Sequence, residues 1–217
     1  MGRLVAALRK MGFDEVYDTI VGADLTVTEE TNEFLARFES GEKLPLFTSC
    51  CPGWMAFAKD KYPELEGNIS SCKSPMEMFG VVIKEYFAEK DKKEGKRTIN
   101  VAIMPCTAKK AEAQLEEVKP YVDCVLTFEE LQALFDSRDF DLSSFEEGVL
   151  DNASYFGRIF ARSGGLTDAA AQAMKEQNID FEIKPVVCDG IEACRVALLK
   201  LSKSQALLGG NFIEGMA

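Results

Sequence analysis

Short apolar, β-branched runs alternate with helix-patterned segments along this chain, and two of the runs open directly into cysteine loops. Residues 44–48 lead into Ser49-Cys50-Cys51-Pro52-Gly53-Trp54, and residues 99–104 lead into Pro105-Cys106-Thr107. Uninterrupted apolar runs suit strands buried on both faces, and strands separated by helices pair in parallel. The fold class that follows is α/β, with two lobes of mostly parallel β-sheet flanked by helices. Ligands of such sheets bind at strand carboxyl ends, which is where both cysteine loops fall.

The punctuation refines this reading. Helical spacing over residues 3–11 stops at Gly12, and residues 15–18 read as a short strand. A helix is expected over 26–39, ended by Ser40-Gly41, and another from Ser74-Pro75 through Tyr86, since proline suits the first helical turn. Residues 123–126 read as a strand, followed by a helix over 127–137 begun by a capping box of Thr127 and Glu130. Gly164-Gly165 precedes a helix to Gln177, 181–187 is a strand, 190–200 a helix, and a last strand starts at Ala206. The pattern is weakest over 138–158, where the longest loop is placed. The division expected is a first lobe with the cluster loops over 1–137, carrying Cys50, Cys51 and Cys106, and the remainder of a second lobe over 138–217, with interleaving of the two allowed.

Composition removes several classes of function. A net charge of -11 offers a phosphate backbone nothing to displace counterions with, so no nucleic-acid partner is expected. No apolar run approaches the roughly 20 residues of a membrane span, and the start lacks a secretory h-region, so the expectation is a cytoplasmic protein with no membrane partner. Seven cysteines, an odd number without an export signal, argue for reduced thiols rather than a disulfide framework. Histidine is absent, which removes Cys-His nucleophile pairs and His-containing zinc sites. Proton chemistry must therefore use carboxylates, thiols, hydroxyls or lysine.

In an extended loop neighbouring side chains point in opposite directions, so Cys50 and Cys51 cannot easily serve one metal atom together. A Cys51 thiolate could ligate iron while Cys50, as a thiol, is tuned for proton transfer. On spacing alone, two buried structural cysteines explain the pair equally well. In the second loop Lys109 could donate to an anionic ligand of a metal centre, with Glu112 pairing it, although lysines there also read as solvated helix surface.

These loops carry a family resemblance. The segments Thr48 to Trp54 and Met104 to Glu112 resemble the first two signatures of the large-subunit domain of [FeFe] (iron-only) hydrogenases. The similarity extends to Arg3-Leu4-Val5-Ala6-Ala7-Leu8-Arg9, Ala23-Asp24-Leu25-Thr26, Ile69 to Pro75, Ser163-Gly164-Gly165 and Phe212 to Ala217. In that family the third signature continues beyond Met-Ala with further cysteines, and a stretch before Gly2 supplies an opening strand. The chain is accordingly read as a piece cut at both ends, with two of four cluster cysteines present.

The resemblance implies reversible reduction of protons to dihydrogen with ferredoxin electrons at an H-cluster, a [4Fe-4S] cluster joined to a diiron subcluster and installed by maturation proteins. Cys51 and Cys106 would be metal ligands. Cys50 would pass protons along Glu30, Ser70 and Glu33, with Arg37 beside them; without the family, the Glu30, Glu33 and Arg37 stripe reads as a solvated helix face. Lys109 resembles a lysine that binds a cyanide of the diiron unit, and Pro105, Ser74 and Met216 resemble other pocket residues. The chain by itself is expected to hold no cluster and to be inactive. Departures are Phe160-Ala161-Arg162-Ser163, where the family often has Phe-Gly before its turn, and Met76 in place of a frequent glutamine. Cys72, Cys124, Cys188 and Cys194 match no family ligand and read as structural, the pair Cys188 and Cys194 being the one worth testing as an adventitious metal site. Two alternatives remain: the non-catalytic iron-sulfur proteins of cluster assembly, and hydrogenase-like sensors. The presence of Cys50 weighs against both.

Overall fold

The computed structural model describes residues 2–149, 154–204 and 211–216. In chain order its main elements are α1 (Gly2–Met11), α2 (Ile20–Ser40), β1 (Leu46–Phe47), α3 (Pro52–Lys61), α4 (Pro75–Val82), α5 (Glu89–Lys93), β2 (Val101–Met104) and α6 (Ala108–Glu112). There follow β3 (Cys124–Thr127), α7 (Phe128–Asp136), α8 (Tyr155–Ile159), α9 (Gly165–Glu176), β4 (Pro185–Asp189), α10 (Ile191–Ser204) and β5 (Phe212–Met216). The chain forms two compact units that interleave in sequence, one from residues 1–21 and 79–153, the other from 22–78 and 154–217. The expected division at 137/138 follows the sequence instead. The cuts fall where they do because β1, the first strand, pairs with β5, the last. No helix among the described residues is long and apolar enough to cross a membrane.

The unit with the first cysteine loop is built on a parallel sheet of order β1-β5-β4. Alternate residues of a strand face opposite ways. Leu46 and Phe212, paired in register, face one core with Phe34 of α2 and Leu166 and Met174 of α9. Phe47 and Ile213 face another with Trp54 of α3 and Leu198 and Leu201 of α10. Helices cover both faces, which is why these strands read as mainly apolar. Segment 69–70 extends the sheet beyond β1, with an Ile69 bridge to Phe47 and the Ser70 amide donating to Phe47 O at 2.8 Å.

One close approach in this unit fixes a residue type. Trp54 is fully buried, donates from Nε1 to Thr48 O at 3.0 Å, and lies flat against Gly215. A Cβ on Gly215 would stand 2.4 Å from the indole ring. The tryptophan of the first cysteine loop thus gauges how near the end of β5 approaches.

In the other unit β2 and β3 pair in parallel, Met104 opposite Thr127. The capping box expected at Thr127 is formed: Thr127 Oγ1 accepts from Glu130 N at 3.3 Å, and Glu130 Oε2 accepts from Thr127 N at 2.9 Å. Ala7 and Leu8 of α1 pack on Leu131 and Phe135 of α7.

Several expectations need correction. Residues 15–18 form no strand, because no neighbouring backbone pairs with them; Val16 instead packs on the α1 and α7 core, and Asp18 Oδ1 accepts from Ile20 N at 3.2 Å, starting α2 six residues ahead of Thr26. The strand over 44–48 shrinks to Leu46–Phe47, since Pro45 has no amide for the ladder. The strand expected at 181–187 is displaced to Pro185–Asp189, as Phe181 is used to pack on Phe34 and Phe38. The helix from Pro75 ends at Val82 and continues as a π-turn over Ile83–Phe87, which nothing in the sequence signals. Residues 150–153 of the long loop and 206–210 of the expected last strand lie outside the described residues.

Candidate functional site

The first cysteine loop begins at the carboxyl end of β1 and ends in α3. Cys51 is the N-cap of α3 with Pro52 as its first residue, so its thiol stands at a helix N-terminus. Cys50 and Cys51 are both partly exposed, and they diverge as extended geometry requires. Cys50 packs against the core of α2 and α9, Cys51 against the core of α3 and α10. The backbone thus turns the two thiols toward different cores.

Next to this loop α2 presents Glu30, Glu33 and Arg37, and the solvated-face reading of that stripe fails. Glu30 is 1% exposed, and its Oε1 accepts from Ser49 N at 3.2 Å. Burial pushes its carboxyl up to about 8, against the opposing hydrogen bond from the Ser49 amide. Ser70 gives its one hydroxyl proton to Glu33 Oε2 at 2.7 Å, which leaves Glu30 Oε2 with no donor to accept from. Burial with no donor at Oε2 favours the protonated form of Glu30. Glu30, Ser70 and Glu33 thus form one contiguous group.

Glu33 is held in the opposite state. Burial alone would raise it, but donation from Ser70, from the Ser71 amide and from Arg37 keeps it below the usual carboxylate range. Arg37 Nη2 lies 2.5 Å from Glu33 Oε1, and the same guanidinium donates to Asn68 O at 3.0 Å and Ile69 O at 2.9 Å. Arg37 therefore fixes the segment carrying Ser70 while pairing Glu33. Two carboxylates separated by one hydroxyl, one favouring its proton and one its charge, are suited to passing protons. The Cys72 thiol beside them is pushed up to about 12 by burial and by Glu30 and Glu33, so it stays protonated and acts structurally, donating to Thr26 O at 3.6 Å.

Glu30 gives a pH signature. Its folded pKa is raised, so between about 4.5 and 8 the folded state holds a proton that the unfolded state has lost, and stability falls as pH rises through that window. The slope from one such group is about 1.4 kcal/mol per pH unit. Urea denaturation of Glu30→Gln from pH 5 to 8 is expected to show a flatter pH dependence than the parent, the variant gaining relative stability toward pH 8. Parallel curves would mean that Glu30 is ionised when folded.

Ser74 and Met216 frame the same unit. Ser74 is buried and caps α4, its Oγ accepting from Glu77 N at 3.4 Å, while Met216 ends β5 at the sheet's carboxyl edge, the edge from which Cys50 and Cys51 emerge. Sequence reasoning missed Glu214. This buried carboxylate on β5 accepts from Gly164 N at 2.9 Å, Thr167 N at 3.0 Å and Thr167 Oγ1 at 2.8 Å, so it caps α9, whose own N-cap, Gly164, has no side chain to do so. The available signal was a lone charge within an apolar strand.

In the other unit Cys106 follows the carboxyl end of β2, partly exposed, with Pro105 exposed before it. Lys109 is half-buried against the buried Glu112, Nζ to Oε2 2.8 Å, with side-chain exposures of 13% and 4%. Lys110 is the surface lysine, bound to Val125 O and to Glu130. The sequence-predicted residues thus fall in two groups: Glu30, Glu33, Arg37, Cys50, Cys51, Ser70, Ser74 and Met216 in one unit, Pro105, Cys106 and Lys109 in the other. The donor chemistry fits an iron-sulfur cluster. Cys51 and Cys106 are partly exposed thiols in loops at strand carboxyl ends, and Lys109 is a cation whose position is set by a buried carboxylate.

A family model described as the iron only hydrogenase large subunit, C-terminal domain, matches residues 1–217. Iron hydrogenase 1 of Clostridium pasteurianum is 35% identical over 96% of this chain and 39% of its own length. The periplasmic [Fe] hydrogenase large subunit of Nitratidesulfovibrio vulgaris is 40% identical over 78% of the chain and 42% of its own. A probable cytosolic Fe-S cluster assembly factor of Anopheles gambiae is 36% identical over 74% and 37%. The chain thus spans about two fifths of the length of these relatives. The solved structure of apo [FeFe]-hydrogenase HydA1 from Chlamydomonas reinhardtii superposes with a TM-score of 0.78 at 28% identity, covering 100% of this chain and 70% of that one.

Proposed function

The chain belongs to the iron-only hydrogenase large-subunit family, matched over its whole length, and from that premise we propose that it is the proton-handling part of an [FeFe] hydrogenase catalytic domain. In this reading Cys51 and Cys106 supply thiolate ligands to the [4Fe-4S] half of an H-cluster. Lys109, held by Glu112, would donate to an anionic ligand of the diiron half, and Pro105, Ser74 and Met216 would be further residues that meet the cluster. When bound, the cluster supplies the metal centre at which electrons and protons combine to dihydrogen.

The chain's own residues handle the protons. Cys50 Sγ delivers them inward. Glu30, protonated near neutral pH, restores the Cys50 proton and is itself refilled through Ser70 Oγ from Glu33, whose ion pair with Arg37 sets the outer end. The observation that carries this reading is the buried Glu30 carboxyl, uncompensated at Oε2 and backed by Ser70 and Glu33. A buried carboxyl without a cation is costly, and Glu30 differs from the helix-capping Glu214, both of whose oxygens accept hydrogen bonds, in keeping one oxygen with no donor. Ferredoxin as electron partner, dedicated maturation proteins and a cytoplasmic location complete the proposal.

The second reading is a cluster-carrying protein without hydrogen chemistry, favoured by the similarity to the Anopheles assembly factor. Isotope exchange separates the two. Cluster-loaded protein under deuterium gas in ordinary water is expected to release HD and H2. A full iron complement with no exchange would favour the assembly reading.

A further inference from the structure

Two cysteines stand apart from this machinery. Cys188 is next to last in β4, and Cys194 lies in the first turn of α10 after the Gly190 turn. Both are buried, at 3% and 0% exposure, in the core of α3 and α10. Cys194 Sγ lies 3.6 Å from Met216 O and 3.9 Å from Cys188 O. The interaction of the two thiols lowers the pKa of Cys188, against the effect of its burial, and raises that of Cys194. Among the described residues no third ligand accompanies the pair, so the adventitious metal site considered from sequence gains no support. A surface groove of about 420 Å³, lined by Val186, Val187, Glu192, Ala193 and Lys200, has Cys188 in its wall. Simple core packing explains two small apolar side chains; it does not require the Cys194 thiol to turn onto the residue of a second cysteine that stands in the wall of an open groove.

We propose that Cys188 and Cys194 are a reversible dithiol–disulfide pair, with Cys188 as the attacking thiol reached through the groove, Cys194 as the resolving thiol, and small disulfides of the glutathione class as oxidant. The Cys188 thiolate attacks one sulfur of glutathione disulfide, a mixed disulfide forms, and one glutathione leaves and takes up a proton. Cys194 then loses its proton to solvent and attacks the Cys188 sulfur, expelling the second glutathione. Two cysteine thiols are oxidised by two electrons, and one glutathione disulfide is reduced to two thiols. Oxidation removes the Cys194 S–H from the Met216 carbonyl, so the state of the pair is felt at the end of β5.

The test uses the whole chain equilibrated in a glutathione buffer, quenched in acid, unfolded, alkylated and cut with trypsin. Both cysteines fall in the peptide 176–195, because Lys184 precedes proline and resists cleavage. That peptide is expected to escape alkylation and to be lighter by two hydrogens, and to become alkylated at both sites after reduction. Cys194→Ser is expected to trap glutathione on Cys188. Complete alkylation of both cysteines in a buffer that glutathionylates the exposed Cys124 would overturn the proposal, as would glutathione retained on Cys188 in the parent chain. The parent chain gives its answer whether or not the variant folds.

Discussion

Replacing Cys50 by alanine in the cluster-loaded protein is expected to lower hydrogen turnover by about 10²- to 10⁴-fold, the range that a positioned proton-transfer group commonly supplies, with iron content unchanged. The expectation follows from where the two adjacent thiols go. Cys50 packs toward α2, the helix of Glu30 and Glu33, while Cys51 turns to the other face of the sheet at the start of α3. Losing Cys50 removes a proton carrier and no ligand. Cys51→Ala is expected to do the reverse, depleting iron and, with it, every activity. Normal hydrogen evolution by Cys50→Ala would sever the proton route from the cysteine that heads it.

A comparable loss in stability is expected from one methyl group. Gly215→Ala puts a Cβ 2.4 Å from Trp54 Cδ2 and Cε2, and the obstacle is a rigid, fully buried indole rather than a flexible chain end. Overpacking of this kind costs about 1–3 kcal/mol and occasionally more. Here a shift of the ring would also break its hydrogen bond to Thr48 O, and a shift of β5 would disturb the Thr48 Oγ1 contact to Gly215 N at 3.3 Å. A lower urea midpoint is expected for Gly215→Ala, partly recovered when Trp54→Phe is added, since residues in contact are not additive. An unchanged midpoint would mean that the Trp54 contact is looser than described.

Much of this was legible in the sequence because local chemistry decides it. The Thr127 and Glu130 capping box, the Ser74-Pro75 helix start and the divergence of Cys50 and Cys51 depend on residues within a turn of one another. Residues 15–18 and 181–184 were misread because strand propensity cannot tell whether a partner strand arrives, and here ring and apolar contacts claimed them. The partition into units was hidden for a similar reason: β1 and β5 pair across some 165 residues. For the site, the family resemblance named Glu30, Ser70 and Glu33, yet spacing alone gave only a helix stripe. Their burial comes from Arg37 drawing segment 67–70 over them, a long-range contact with no local signature. Glu214 was overlooked on similar grounds, because the helix it caps lies some 50 residues upstream.

The proposed function makes Cys51 and Cys106 thiolate ligands of one cluster. Iron and acid-labile sulfide in purified Cys51→Ala, Cys106→Ala and the double variant test it most directly, against the cluster-loaded parent. If both thiols serve one cluster, each single variant loses the same iron as the double, because a shared site makes the two losses non-additive. Losses that add, or either single variant keeping a full complement of iron, would contradict the account.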